Sequence, residues 1–280
     1  RVPGVKYDIA WTTLGEVMES LNRKGTSPNI ASFVGAATVR VHELGYANRP
    51  PSAEELARMK ELVRVAMEEG AVGITTALIY APANYASTEE LIELSKVVSQ
   101  YGGIYTAHMR SEGNAILKAV DESIRIAREA NLPVEIYHLK MGGKQNWNKL
   151  DSVIAWINKA NQDGLKISAN MYNYTAGATG LDGAMPPWVQ EGGIKEWIKR
   201  LKNPVIRKKV LAEMRSTTDK WENLMLNAGP DGVLLLGFTN DSLKRFVGKT
   251  IGEVAKIYGK SPEETAMDLV ITDSTRVEAA

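Results

Sequence analysis

Two hundred and eighty residues make one large α/β domain or two small ones and bury roughly 75% of the unfolded surface, which excludes a disulfide-stapled miniprotein. The 34 Lys and Arg against 33 Asp and Glu leave a net charge of +1, so no overall field draws the chain to nucleic acid or an anionic membrane. The 44% hydrophobic and 24% charged residues are a globular composition, and no apolar run approaches the ~20 residues that cross a bilayer.

In chain order, the spacing predicts a helix over 14–22 and a strand over 29–35 (NIASFVG), followed by a loop that carries His42. Ser52 and Glu55 form a capping box, and Leu56, Met59, Leu62, Val63 and Ala66 carry a helical stripe that Gly70 stops. Residues 70–78 (GAVGITTAL) are short, apolar and β-branched, as in a buried strand. Ser87 and Glu90 open a helix to about residue 100, and 103–109 (GIYTAHM) is strand again. An amphipathic helix over 113–130 leads to strand 133–140 (PVEIYHLK), and a helix over 149–161 leads to strand 165–172.

Alternating covered strands and helices argue a parallel sheet, either a (β/α)8 barrel or a doubly wound sheet. No G-x-G-x-x-G follows a strand and no Walker pattern occurs, which favours the barrel. A Gly-rich, aromatic excursion over 172–193 is the kind of loop that builds the mouth of a barrel site. Basic helices to about residue 226, a strand over 233–238, a helix over 251–258 and another opened by Ser261 and Glu264 follow. The whole reads as a single domain over 1–280 whose strands fall about two short of a closed barrel.

Zero cysteines remove thiolate nucleophiles and cysteine metal sites, so any metal needs His, carboxylate or water. Of the three histidines, His108 and His138 end consecutive predicted strands. Strand alternation puts His108 with Thr106 and Ile104, and His138 with Ile136 and Val134. If both faces line the barrel, the imidazoles converge at its mouth, where a shared Zn²⁺ takes nitrogen ligands; a pair of hydrogen-bonded core histidines is the alternative. Arg110 and Lys140 each follow a histidine by two positions and suit a substrate carboxylate or acyl oxygen, or else are surface charges. Alternation points Glu135 toward the helices, and Glu112 either pairs with Arg110 or starts a helix. Asn170, Tyr172 and Tyr174 end the next strand within reach of a ligand.

Five stretches together resemble the N-acyl-D-amino-acid deacylases (D-aminoacylases) of the metal-dependent amidohydrolase superfamily. They are GAATVR at 35–40, GAVGITTALIYAPANYASTEEL at 70–91, TAHMRSEG at 106–113, IYHLKMGGKQNW at 136–147 and MYNYTAGATGL at 171–181. The resemblance implies a (β/α)8 TIM-barrel amidohydrolase fold with zinc at the C-terminal ends of the strands, His108 and His138 matching two metal-binding histidines. It also implies an N-acyl amino acid substrate whose amide is cleaved by metal-activated water. Lys140 and Tyr172 match substrate-binding positions, and Arg110 matches the HMR arginine, beside the substrate or supporting the site.

Departures from the family pattern are Asn170 for Asp, Asn173 for Pro and Ala178 for Ser. The family's first-strand His-x-His pair, its second-strand Cys or Glu ligand and its last-strand Asp have no counterpart. The expectation is therefore an incomplete barrel, about strands 3 to 7 plus an insertion, from inside a longer chain. This segment alone is expected to have weak metal affinity and little or no activity. Two competing readings are a dihydroorotase-like or dipeptidase-like amidohydrolase, and a non-catalytic barrel piece that self-associates through open sheet edges.

Overall fold

The computed structural model describes residues 9–280. Its first half alternates helix and strand: α1 (Leu14–Lys24), β1 (Val34–Gly35), α2 (Ala36–Leu44), α3 (Ala53–Glu68), β2 (Gly73–Ala77), α4 (Thr88–Gln100), β3 (Ile104–His108), α5 (Ile116–Ala130), β4 (Val134–Ile136), α6 (Leu150–Gln162) and β5 (Ile167–Ala169). The predicted caps are present. Ser52 accepts from the Glu55 amide while Glu55 reaches back to Ser52, and Ser87 accepts from the Glu90 amide. Asn131, in the left-handed conformation, ends α5.

All five strands run parallel in the order β1-β2-β3-β4-β5. A doubly wound sheet would reverse its strand order at a switch point. Sequential addition with neighbouring helices packed side by side is the winding of a barrel wall. The sheet is open, with β1 and β5 at its edges, so the fold is an incomplete TIM barrel.

One face of the sheet carries Ile74, Tyr105, Ala107, Val134, Ile136 and Ile167, each buried in the core beneath the helices. Parallel register places Thr75, Thr106, Glu135 and Ser168 together on the other face. Glu135 thus points away from the helices, contrary to the alternation argument, and bonds Ser168 and the Asn170 amide. His42 is another correction. It stands on α2, because the helix begins directly at Ala36, and its mostly exposed side chain pairs with Glu43.

The second half comprises β6 (Thr179–Gly180), α7 (Ile194–Lys202), α8 (Pro204–Met214), α9 (Leu224–Ala228), β7 (Leu235–Gly237), α10 (Ile251–Tyr258), α11 (Pro262–Asp273) and β8 (Glu278–Ala279). Its three strands form a separate antiparallel sheet, order β6-β8-β7, over a second buried cluster. The strand predicted over 233–238 belongs here and not to the parallel sheet. Leu235 is buried while Leu234 and Leu236 are exposed, the one-sided pattern of an antiparallel strand. Tyr80 to Thr179, Tyr85 to the Pro187 carbonyl and Ser111 to Glu222 hydrogen-bond this layer to the barrel wall. Among the described residues no helix is long and apolar enough to cross a membrane.

Candidate metal centre

His108 closes β3 on the Thr106 face of the sheet. The register pairs Ala107 with Ile136, so a fully extended β4 would carry His138 onto the Ile136 face, beneath the helices. Strand pairing ends at Ile136, and His138 turns through φ 39, a conformation costing a non-glycine residue about 1–2 kcal/mol. Asn170 stabilises the turn by accepting from the His138 amide at 2.8 Å and donating to Glu135 at 2.7 Å. The two imidazoles then meet edge to face, with centroids 4.6 Å apart. The predicted convergence is therefore found, but a left-handed turn produces it and a shared strand face does not.

Glu112 completes the group. It lies on the loop between β3 and α5, almost wholly buried. Its Oε1 stands 2.7 Å from His138 Nδ1 and 3.9 Å from His108 Nε2. One ligand atom from each of His108, Glu112 and His138 lies within 4.8 Å of the others. From the sequence, Glu112 reads as a partner of Arg110 or as the start of a helix, and the structure places it elsewhere. The signal lay in its position four residues past His108, on the loop at the strand's C-terminal end.

His108 Nε2 is buried and lacks a hydrogen-bond partner. Burial pushes the His108 pKa down to about 4, outweighing the pull of Glu112, so the ring is neutral near pH 7 with a nitrogen available. For Glu112, burial acts upward, but the His138, His108 and Lys140 side chains outweigh it and hold the carboxyl below its ordinary range. A neutral imidazole with an orphaned nitrogen, a second imidazole and an ionised carboxylate fit a divalent metal of the zinc type.

Lys140 also reaches the group. Its Nζ is 2.7 Å from Glu112 Oε1 and 2.8 Å from both His138 Nδ1 and the His138 carbonyl, and it lies 5.3 Å from the centre of the Tyr172 ring. Tyr172 and Tyr80 flank the imidazoles at 6.2 and 5.4 Å between ring centres. These side chains open into a cavity of about 550 Å³, roofed by the 171–181 excursion and walled by Leu224, Met225 and Val233 from the second layer.

Arg110 is not brought to this cavity. Its guanidinium is held by Glu122 and by the carbonyls of Asn84 and Ala86. Alternation ceases where β3 ends at His108, so the parity that placed Arg110 beside Lys140 does not extend to it.

No family model matches the chain. A curated D-aminoacylase of Alcaligenes xylosoxydans xylosoxydans is 38% identical over 168 residues, 59% of this chain and 34% of the relative. A solved D-aminoacylase, described for the functional role of its binuclear metal centre, superposes with a TM-score of 0.72 at 28% identity, covering 95% of this chain and 46% of that one. By sequence and by fold, the chain is similar to D-aminoacylases over the part of them that it spans. The fold likeness extends to an N-acyl-D-glutamate deacylase of Bordetella bronchiseptica solved with zinc and a phosphonate inhibitor, with a TM-score of 0.74, 22% identity and the same two coverages, 95% and 46%. The chain spans about a third of the length of the curated deacylases it matches.

Proposed function

We propose that the chain provides the metal- and substrate-holding surface of a metal-dependent hydrolase of N-acyl-D-amino acids. The observation that carries this reading is the meeting of His108, Glu112 and His138 at the C-terminal ends of two barrel strands, inside a cavity of substrate size. His108, His138 and Glu112 would hold the metal, with zinc the first choice for such donors. When bound, the dication supplies Lewis acidity for amide cleavage.

The chain's own groups do the rest. The Lys140 ammonium is the one lysine or arginine charge on the cavity wall among the described residues, so it is the group that holds the substrate carboxylate, with Tyr172 packed beside it. The apolar wall from the second layer receives the acyl group or amino-acid side chain and excludes water. Both layers act as one domain in this reading, since the cavity lies between them. Arg110 supports the site from outside by holding the loop around Asn84 and Ala86.

Turnover by this chain alone is expected to be slow or undetectable. Among the described residues, Glu112 is the one carboxylate grouped with the two imidazoles, which leaves no separate general base there. The test measures zinc stoichiometry alongside hydrolysis of N-acetyl-D-amino acids, cyclic ureides and D-containing dipeptides. Near-stoichiometric zinc with binding or slow cleavage confined to N-acetyl-D-amino acids supports the reading. Absence of metal binding, or preference for a cyclic ureide or dipeptide, overturns it.

Self-association is a second reading with its own observation. The free edge of β5 lies beside α6, whose neighbourhood exposes Trp147, Leu150, Ile154 and Met171. A solution mass of one chain at micromolar concentration would remove it.

A further inference from the structure

Glu222 lies on the segment between α8 and α9, and its side chain is buried. It is 111 residues from Ser111 in sequence, yet its Oε2 accepts from the Ser111 hydroxyl at 2.6 Å and from the Glu112 amide at 3.1 Å. Its Oε1 accepts from the Asn227 amide at 3.2 Å. With its proton directed at Glu222, the Ser111 oxygen is free to accept from the amides of Gly113 and Ala115, both at 3.2 Å. One buried carboxylate thus holds the backbone amide of Glu112 directly, and those of Gly113 and Ala115 through Ser111.

The contact is also close. A Cβ on Gly113 would stand 2.4 Å from Glu222 Oε1 and 3.2 Å from the Gly142 carbonyl. The Glu112 carbonyl in turn accepts from the Gly142 amide at 2.6 Å, so the 111–113 turn is clasped between Glu222 and the loop after His138. Asn223, also buried, bonds the Met214 carbonyl at 2.7 Å and ties Glu222 to the end of α8.

We infer that Glu222 is a positioning residue for the metal centre: through Ser111 and the Glu112 amide, the second layer sets where the Glu112 carboxylate stands relative to His108 and His138. The inference rests on the metal-binding reading above. It adds that the three donors depend on a residue from outside the barrel wall.

The test compares the full chain with Glu222→Ala, Glu222→Gln and Ser111→Ala by two measurements. The first is Co²⁺ affinity with the visible absorption of the bound ion. The second is the ring ¹⁵N spectrum of metal-free protein, in which His42 serves as an internal control. Both critical bonds end on a single oxygen, so a glutamine can keep them. Glu222→Ala and Ser111→Ala are expected to weaken Co²⁺ binding by about tenfold or more, alter its spectrum and shift the His138 ring signal, with Glu222→Gln within about threefold of wild type. A Glu222→Ala chain that keeps cobalt affinity, spectrum and His138 signal overturns the inference. If Glu222→Ala fails to fold, Ser111→Ala decides by the same criteria. If the wild type binds no cobalt, the metal reading fails, and the His138 ring signal alone decides whether Glu222 positions Glu112.

Discussion

Glu112 Oε1 lies 2.7 Å from His138 Nδ1, so a carboxylate on the loop after one strand meets an imidazole on the loop after the next. Neither residue continues the regular alternation of its strand. The contact exists because β3 and β4 both stop short, freeing the chain to aim these side chains at a common point above His108.

In the proposed metal site, Glu112 is the acidic group to substitute. Glu112→Gln preserves shape and removes the charge, and is expected to weaken zinc binding by about 10–100-fold. Calorimetric titration of the two proteins checks this, and equal affinities would remove Glu112 from the ligand set.

Lys140 gives effects of opposite sign. Its ammonium stands against Glu112 Oε1 and His138 Nδ1, within the group of side chains that would hold a metal. Lys140→Gln is expected to tighten zinc binding by about threefold or more while weakening binding of an N-acetyl-D-amino acid, since like charges compete for one donor set. Loss of both affinities together would place Lys140 in a purely structural role.

Arg110 should behave as a structural residue. Truncation to alanine leaves the nearly buried Glu122 carboxylate, among the described residues, with Thr88 as its one bonded side chain and frees two loop carbonyls. Arg110→Ala is expected to cost about 2–3 kcal/mol in urea unfolding, with zinc affinity changed by less than about twofold. A large change in zinc affinity at unchanged stability would return Arg110 to the site.

Asp182 sets a pH dependence. It is buried, its Oδ1 stands 3.3 Å from Arg276 Nε, and burial raises its pKa against the smaller opposing effects of Arg276 and the backbone amides of Asp182 and Gly183. A carboxyl whose folded pKa exceeds its unfolded one of about 3.9 imposes no cost below that value and a growing cost as pH rises through the folded pKa. Asp182→Asn is therefore expected to raise the melting temperature at pH 7, by roughly 2–4 °C for about 1 kcal/mol, and to leave it unchanged near pH 3. Thermal melts at both pH values decide, and an equal gain at both would mean that ionisation is not the cause.

The helices and the parallel sheet were legible because their signals are local. Capping boxes at Ser52 and Ser261, the Ser87 cap, apolar stripes such as Leu56 to Ala66, and short β-branched runs encode element type within a few residues. The histidine pair was legible as well, through its repeated position after two strands. Glu135 was misread for a specific reason: a strand's alternation says which residues share a face, and only pairing with β3 says which face that is.

By itself, then, the sequence determined the alternation of helices and covered strands and marked the two imidazoles at matching strand ends, all properties of short stretches of chain. Only the tertiary structure decided that His138 turns back through a left-handed conformation and that Glu112 stands together with the two imidazoles. It also decided that Glu222 bonds the Ser111–Glu112 turn across 111 residues of sequence and that Arg110 faces elsewhere. These depend on where strand pairing stops and on which distant groups satisfy buried hydrogen bonds, balances struck among contacts that no short window of sequence contains.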